Sequence, residues 1–351
     1  MIKKETLFFR KKISQYFVNF MNQQNIKYLF LGDISYFPSK ITSDLDFYID
    51  FNRYNDLKKI FKKFTRKFNN IWNKPIVFRI DGVPHKKFLI TKKFDENTNI
   101  FYKKLKNANG IIYQSKFAKL INEKFFDINK NIPNTVIYNG INLKEFNRQG
   151  QNLRKKLGIN TNDIVFIASG NFRNKNKRLE SIIDNFNIYK TKRKINKYLI
   201  ILGVVNKKLG ISRNKLNNKN IILAGKINVS YLPNWYRTGD IFLHFAYIDI
   251  CPNSVIEAIA SGLPVLCTNS SGTRELINET GCGLVVNTDK INKLEEANVW
   301  NPPQLNQKLI LNGIKKIIKN KKKILKKTNL DSINIDKVAK KYSDFINKIK
   351  I

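Results

Sequence analysis

Histidine is almost missing from this chain, with two in 351 residues, and cysteine is scarce, with three. Cys251, Cys267 and Cys282 show no CxxC spacing and have no histidine partners nearby, which argues against both a disulfide framework and a zinc site. No uncharged apolar run reaches the ~18 residues that a membrane-spanning helix needs. The opening MIKKETLFFRKK has charges on both sides of a short apolar patch, unlike a cleavable signal. A reducing, cytoplasmic setting is the expectation. Acidic residues are few as well: 26 against 65 Lys and Arg, a net charge of +39.

That excess admits two functional readings. One is nucleic acid, whose phosphates attract Lys and Arg without regard to sequence. The other is peripheral contact with an anionic membrane. A third explanation needs no partner: Lys, Asn and Ile are abundant together, as A/T-rich codons would produce. The lysines are spread along the whole chain, and no RNP, zinc-finger or basic-zipper pattern accompanies them, so no specific nucleic-acid partner is expected. With 42% hydrophobic residues the chain can build two domains with real cores.

The richest stretch runs from Asp249 to Gly262, DICPNSVIEAIASG, and continues into LPVL. It reads as a loop, a short apolar helix ended by Gly262 with Pro264 beyond, and a buried strand over Val265, Leu266 and Cys267. Asn253 and Ser254 fall where the first unpaired N–H groups of that helix point, a place that welcomes a diphosphate. Asp249 and Glu257 frame the turn. Ser254-x-x-Glu257 is also a capping box, which would need no ligand.

The stretch from Phe242 to Val286 resembles the donor-site signature of family 4 glycosyltransferases, the retaining GT-B enzymes. In that family an acid, seven residues and a Glu precede a small-residue helix and a Gly-x-Pro-Val strand, with a Gly-containing loop and another Glu after it. Here these are Asp249, Glu257, Gly262, Pro264, Val265, then Ser271, Gly272, Thr273 and Glu275, and the Gly281-Cys-Gly283 turn. The family's first acid is more often Glu, so Asp249 is a shorter variant. The resemblance implies an α/β GT-B fold of two Rossmann-like domains with a cleft between them: an acceptor-side domain at 1–148, a nucleotide-sugar domain at 149–330, and a helix at 331–351 packing back towards the first.

It also implies roles. In NFRNKNKRLESIIDNF, after the strand IVFIASG and Gly170, Arg173 and Lys177 would hold the departing diphosphate, the Arg by paired contacts and the Lys as a point charge. Two cations at a helix start are unfavourable for the helix alone, and an anionic ligand reverses that. Asp249 would contact the donor sugar and Glu257 the ribose hydroxyls. Pro252, Asn253, Ser254, Val255, Gly272 and Thr273 would line the donor, and Gly225, Lys226 and Ile227 match the loop that meets the base. YLIILG, NIILAG and DIFLHF are evenly spaced apolar strands of a parallel sheet. His244, inside IFLHF, reads as a satisfied core residue, and Trp235 and Tyr236 as helix packing. No cofactor or metal is required by this design. The substrate is a nucleotide-diphosphate sugar, and the acceptor a hydroxyl of a glycan or lipid-linked precursor.

The first domain departs from the pattern. KPIVFRIDG ends in Asp81-Gly82 where the family has a His-Gly, with His85 four residues further on, and the family's early Gly-Gly loop is not found. GIIYQSKF, with Ser115, and VIYNGINLKEF, with Asn142 for the usual Asp, look like the last two strands of that domain and its exit turn. Residues 1–70 are diverged: Asp44 and Asp46 on one strand face resemble the metal-binding DxD of nucleotidyltransferases, but Asp33 stands where a small residue is expected and no third carboxylate can be assigned. Apolar stripes at 7–21 and a basic helix at 54–68 would suit a lipid surface. Two alternatives therefore stand beside a transferase: a donor-binding protein without turnover, and a metal-dependent nucleotidyltransferase activity using Asp44 and Asp46.

Overall fold

A computed structural model describes residues 28–31, 47–51, 76–80, 82, 105, 108–206, 209–291 and 293–349. The described residues fall into two units, one reaching to Asn142 and resuming at Ile333, the other spanning Leu143–Ser332.

The first unit holds five strands, β1 (Tyr28–Leu31), β2 (Phe47–Phe51), β3 (Ile76–Ile80), β4 (Gly110–Tyr113) and β5 (Asn134–Val136), paired in parallel in that order. Parallel sheets need cover on both faces, which explains continuous apolar runs such as IVFRI, with Val77, Phe78 and Ile80 fully buried. Helix α1 (Lys116–Phe125) starts at Ser115, whose Oγ accepts the Ala118 N–H at 2.9 Å.

The last helix also belongs to this unit. It runs Ile335–Ile349, buries Ile335, Val338, Ala339, Tyr342 and Ile346, and so shows the spacing of an amphipathic helix laid on a core. Its approach is close: a side chain at Gly110 would collide with Ile349 and Phe345, and one at Gly140 with Ile335. Arg79 of β3 donates to the Tyr342 hydroxyl at 2.6 Å and to Asn139 Oδ1 at 2.5 Å, satisfying a guanidinium that the sheet buries.

The second unit contains β6 (Ile164–Ser169), α2 (Leu179–Ile188), β7 (Lys197–Leu202), α3 (Arg213–Leu216), β8 (Ile221–Gly225), α4 (Leu232–Thr238), β9 (Ile241–His244), α5 (Asn253–Ala260), β10 (Val265–Thr268), α6 (Thr273–Thr280), β11 (Gly283–Val286) and α7 (Gln307–Lys327). With the last helix of the first unit as α8, the sheet order here is β11-β10-β9-β6-β7-β8, all parallel. The chain thus steps outward from β6 to β8, then returns to the other side of β6.

Its core joins sheet and helices through Phe166, Ile183, Phe186, Leu199, Ile201, Leu243 and Ile314, with Phe166 and Phe186 edge to face at 5.6 Å. Each such side chain contributes about 1.5–3 kcal/mol by leaving water. The stretch LRKKLGI forms a single 3-10 turn, Lys155–Leu157, because Gly158 takes the left-handed conformation (φ 66°) and stops it. Gly203 (φ +120°) ends β7 against the Gly170 carbonyl, where no Cβ would fit.

Candidate donor-binding site

Where the strand order of an open parallel sheet reverses, the loops leaving two adjacent strands part and leave a crevice at their C-terminal ends. In the second unit that point lies between β6 and β9. The loop after β6 carries a 3-10 turn, Lys175–Lys177, and the loop after β9 carries Asp249. Asn176 fastens the two. Its Nδ2 donates to the Ile248 carbonyl at 2.9 Å, its Oδ1 accepts the Ile248 N–H at 3.0 Å, and its own carbonyl accepts the Tyr247 N–H at 2.9 Å.

With the loops joined, Lys177 Nζ reaches Asp249 Oδ2 at 2.5 Å. Burial alone would raise the Asp249 pKa, but the Lys177 ammonium and the neighbouring His244 outweigh it and hold the carboxyl well below the usual carboxylate range. The Asp249 carbonyl accepts the Gly272 N–H at 3.0 Å, so the loop before α6 is tied to the same place. Beneath it, Arg178 pairs with Asp289 at an almost fully buried site. Arg178 also donates to the carbonyls of Phe245 (3.3 Å) and Pro303 (2.8 Å) and lies over the Tyr247 ring.

Helix α5 starts earlier than a capping box would require. Pro252 is the N-cap and gives no side-chain cap, which puts Ser254 inside the first turn and leaves Ser254-x-x-Glu257 out of register. The capping-box reading of Glu257 is therefore corrected. Its carboxylate is 4% exposed and accepts the Tyr236 hydroxyl at 2.8 Å. Pro252 is buried at the helix start. Val255, expected at the donor, is wholly buried, and its N–H is taken by the Pro252 carbonyl at 3.1 Å, so its side chain serves the core. Asn253 and Ser254 remain part-exposed at the helix start. Thr273, at the start of α6, is buried with an unpartnered hydroxyl.

Other expected residues are placed more loosely. Arg173 is exposed on the loop after β6, and Gly170 stands at that strand's end. Gly225 (φ +67°) closes β8, followed by exposed Lys226 and part-buried Ile227. Asp81, Asp44, Asp46 and His85 lie outside the described residues, as do the 7–21 stripe and the 54–68 helix. Among the described residues, no group of three or more His, Cys, Asp or Glu could hold a metal ion, and no helix is long and apolar enough to cross a membrane.

Three residues with evident work at the site were not read from the sequence: Asn176, Arg178 and His244. His244 is buried, as expected, but not satisfied by core partners. Its Nε2 stands 3.4 Å from the same Asp249 oxygen that Lys177 meets, off the line of a good hydrogen bond, and finds no other partner. The signal available was position: His244 ends the strand that feeds the Asp249 loop.

Residues 149–316 match the model of the family described as glycosyl transferases group 1. The match covers a little under half of the chain. Protein CapJ of Staphylococcus aureus is 25% identical over 131 residues, 36% of this chain and 31% of that protein, so the chain spans about a third of that relative's length. Among solved structures, a sucrose-phosphate synthase from Thermosynechococcus elongatus aligns with TM-score 0.64 at 16% identity over 87% of this chain and 73% of that one. HepE of Anabaena, in complex with UDP-glucose, aligns with TM-score 0.64 at 15% identity over 87% and 79%. WaaG, a glycosyltransferase involved in lipopolysaccharide biosynthesis, aligns with TM-score 0.62 at 14% identity over 97% and 95%. These likenesses show the GT-B fold.

Proposed function

We propose that the protein transfers a sugar from a nucleotide-diphosphate sugar to an acceptor hydroxyl, with retention at the anomeric carbon. The observation that carries the reading is the meeting of Lys177 and Asp249 at the strand-order reversal, beside the start of α5. A diphosphate there would be met by the Lys177 ammonium, the Arg173 guanidinium and the N–H groups of the α5 start, charges already in place before the bond breaks. Among the described residues the charged partner of Lys177 is Asp249, and Arg173 is exposed on the same loop. Asp249 would address the donor sugar. Glu257, fixed by Tyr236, would take the ribose hydroxyls, and the loop Gly225-Lys226-Ile227 the base. These groups neutralise a diphosphate without a metal, and no cofactor enters the scheme.

A glycan or lipid-linked acceptor fits the company of a lipopolysaccharide glycosyltransferase among the similar folds. An anionic membrane surface is the further partner we propose. Its support is the run of exposed lysines on α7, Lys315, Lys316, Lys319, Lys322, Lys323 and Lys326, on a helix with no acidic residue. Co-sedimentation with anionic vesicles that falls with salt, and none with neutral vesicles, would bear this out; equal recovery with both would dispose of it.

The transfer reading is tested by a thermal-shift screen of UDP-, GDP- and ADP-sugars, since a ligand bound only by the folded state raises the melting temperature. The hit is then followed for release of free nucleotide. A shift without release, with acceptors supplied, favours the donor-binding alternative. No shift with any nucleotide sugar sinks both.

A further inference from the structure

His244 has no task in the scheme above, yet it is the one imidazole among the described residues and lies where a buried polar atom without a partner is costly. It ends β9, is 4% exposed, and its ring stacks on Phe242 with centroids 6.3 Å apart. The stack and the strand hold Nε2 3.4 Å from Asp249 Oδ2. Lys177 approaches that same oxygen at 2.5 Å. One carboxylate oxygen therefore has two potential counter-charges, and the lysine is the nearer.

The charged and titratable groups facing the imidazole come from three elements. They are Asp249 from the loop after β9, Lys177 from the turn before α2, and the thiol of Cys267, its register partner on β10. Burial pushes the Cys267 thiol well above its ordinary range, so it stays neutral. Burial, foremost, and the Lys177 charge lower the His244 pKa, against the pull of Asp249. The imidazole is thus neutral while Lys177 remains on the carboxylate. A diphosphate arriving at Lys177 changes both influences in one direction. It adds negative charge nearby and competes for the ammonium, and each favours the protonated imidazole.

Resting on the donor-site reading above, we propose that His244 is a positioning residue for Asp249 and becomes its counter-charge when a donor diphosphate draws on Lys177, so that donor binding is coupled to uptake of one solvent proton by the imidazole. The carboxylate then keeps its place for the sugar although its lysine is engaged elsewhere. A histidine that merely filled the core would show no such coupling.

The test is calorimetric titration of UDP-glucose into the full chain near pH 6 and near pH 8, in buffers of different ionisation enthalpy, with GDP-glucose and ADP-glucose as parallel titrants. A diphosphate esterified at both ends does not titrate in this range, so an observed proton belongs to the protein. The expected result is uptake of a fraction of a proton per ligand near pH 6, little near pH 8, and affinity that rises on acidification with the matching slope. In His244→Asn, whose amide can still donate to Asp249, binding weakens but the uptake disappears. In His244→Phe the uptake disappears too, with a larger loss in kcat than in KM. Wild-type binding with no buffer-dependent uptake overturns the proposal without recourse to any variant, and so does uptake that survives in His244→Asn. If no sugar nucleotide binds, the donor-site reading fails and takes this one with it; binding without uptake leaves that reading standing and removes only this one.

Discussion

The two sheets are made of the same material, short parallel strands rich in Ile, Val, Leu and Phe, and differ in how the chain visits them. In the first unit the described strands follow one another across the sheet without reversal. In the second the chain goes out by β7 and β8 and comes back at β9. Only the second therefore has, among described strands, a place where two outgoing loops diverge, and there Lys177, Asp249 and His244 gather. In the first, the buried cation near the strand ends, Arg79, is used up on Tyr342 and Asn139. Charge collects where the topology leaves room for a ligand and is otherwise spent on holding elements together.

The largest effect is expected from Asp289→Ala, which strands the Arg178 guanidinium under the site. Removing one partner of a buried ion pair costs about 3–5 kcal/mol. Thermal unfolding should show a large fall in melting temperature with loss of nucleotide-sugar binding. A shift no greater than that of a surface substitution would mean the pair does not hold the crevice.

Next comes Glu257→Gln. Glutamine can still accept the Tyr236 hydroxyl, so stability should move little, whereas loss of a charge-assisted ligand contact should raise the barrier by roughly 2–4 kcal/mol. Tyr236→Phe is the control: it removes one buried hydrogen bond, about 1 kcal/mol of stability, and loosens the carboxylate. A Glu257→Gln protein that melts early and turns over normally would make Glu257 a packing residue.

Arg173→Ala probes the exposed cation. Donor affinity should weaken about ten- to a hundredfold, the scale of one hydrogen bond to a charged group. The melting temperature without ligand should not change, because the guanidinium is exposed on a loop. Unchanged affinity would leave Lys177 and the α5 start as the whole anion site.

Acidity should weaken the second unit through two of its buried groups. His244 refuses a proton in the folded state that it accepts near pH 6.5 when unfolded, so it lowers stability as pH falls below that value. Asp249, depressed by Lys177 and His244, contributes stability present above its unfolded pKa near 4 and lost as pH falls through its folded one. Both make the second unit weaker in acid. Melting curves of His244→Asn should be flatter between pH 6.5 and about 4; an unaltered slope would assign the acid loss elsewhere.

Much of this was legible in the residues. Runs such as IVFIA and YLIIL announce buried parallel strands because they are apolar without interruption, and Gly262 with Pro264 ends α5 as written. What stayed hidden depends on contacts far apart in the chain. Nothing local says that Asn176 will pair with Ile248, 72 residues on, or that Arg178 will meet Asp289, 111 residues on. The capping box misled for the opposite reason: Ser254-x-x-Glu257 is a strong local pattern, overridden when tertiary packing began the helix at Pro252 and turned Glu257 to Tyr236.

The smallest effect, and the sharpest test of the contrast between the sheets, is expected from Asp44→Asn with Asp46→Asn. Both acids lie outside the described residues, so their role rests on chemistry. In the proposed transfer the arrangement around Lys177 and Asp249 already supplies cations for the diphosphate and gives Asp44 and Asp46 no task. The double substitution should then leave transfer within a few-fold. A nucleotidyltransferase would behave differently, because Mg²⁺ selects oxygen ligands and the reaction depends on it. Calorimetric titration of Mg²⁺ into the wild-type chain, with and without nucleotide, distinguishes them. A stoichiometric site lost in the double variant would put a second chemistry in the first unit, and the contrast drawn between the two sheets would fail.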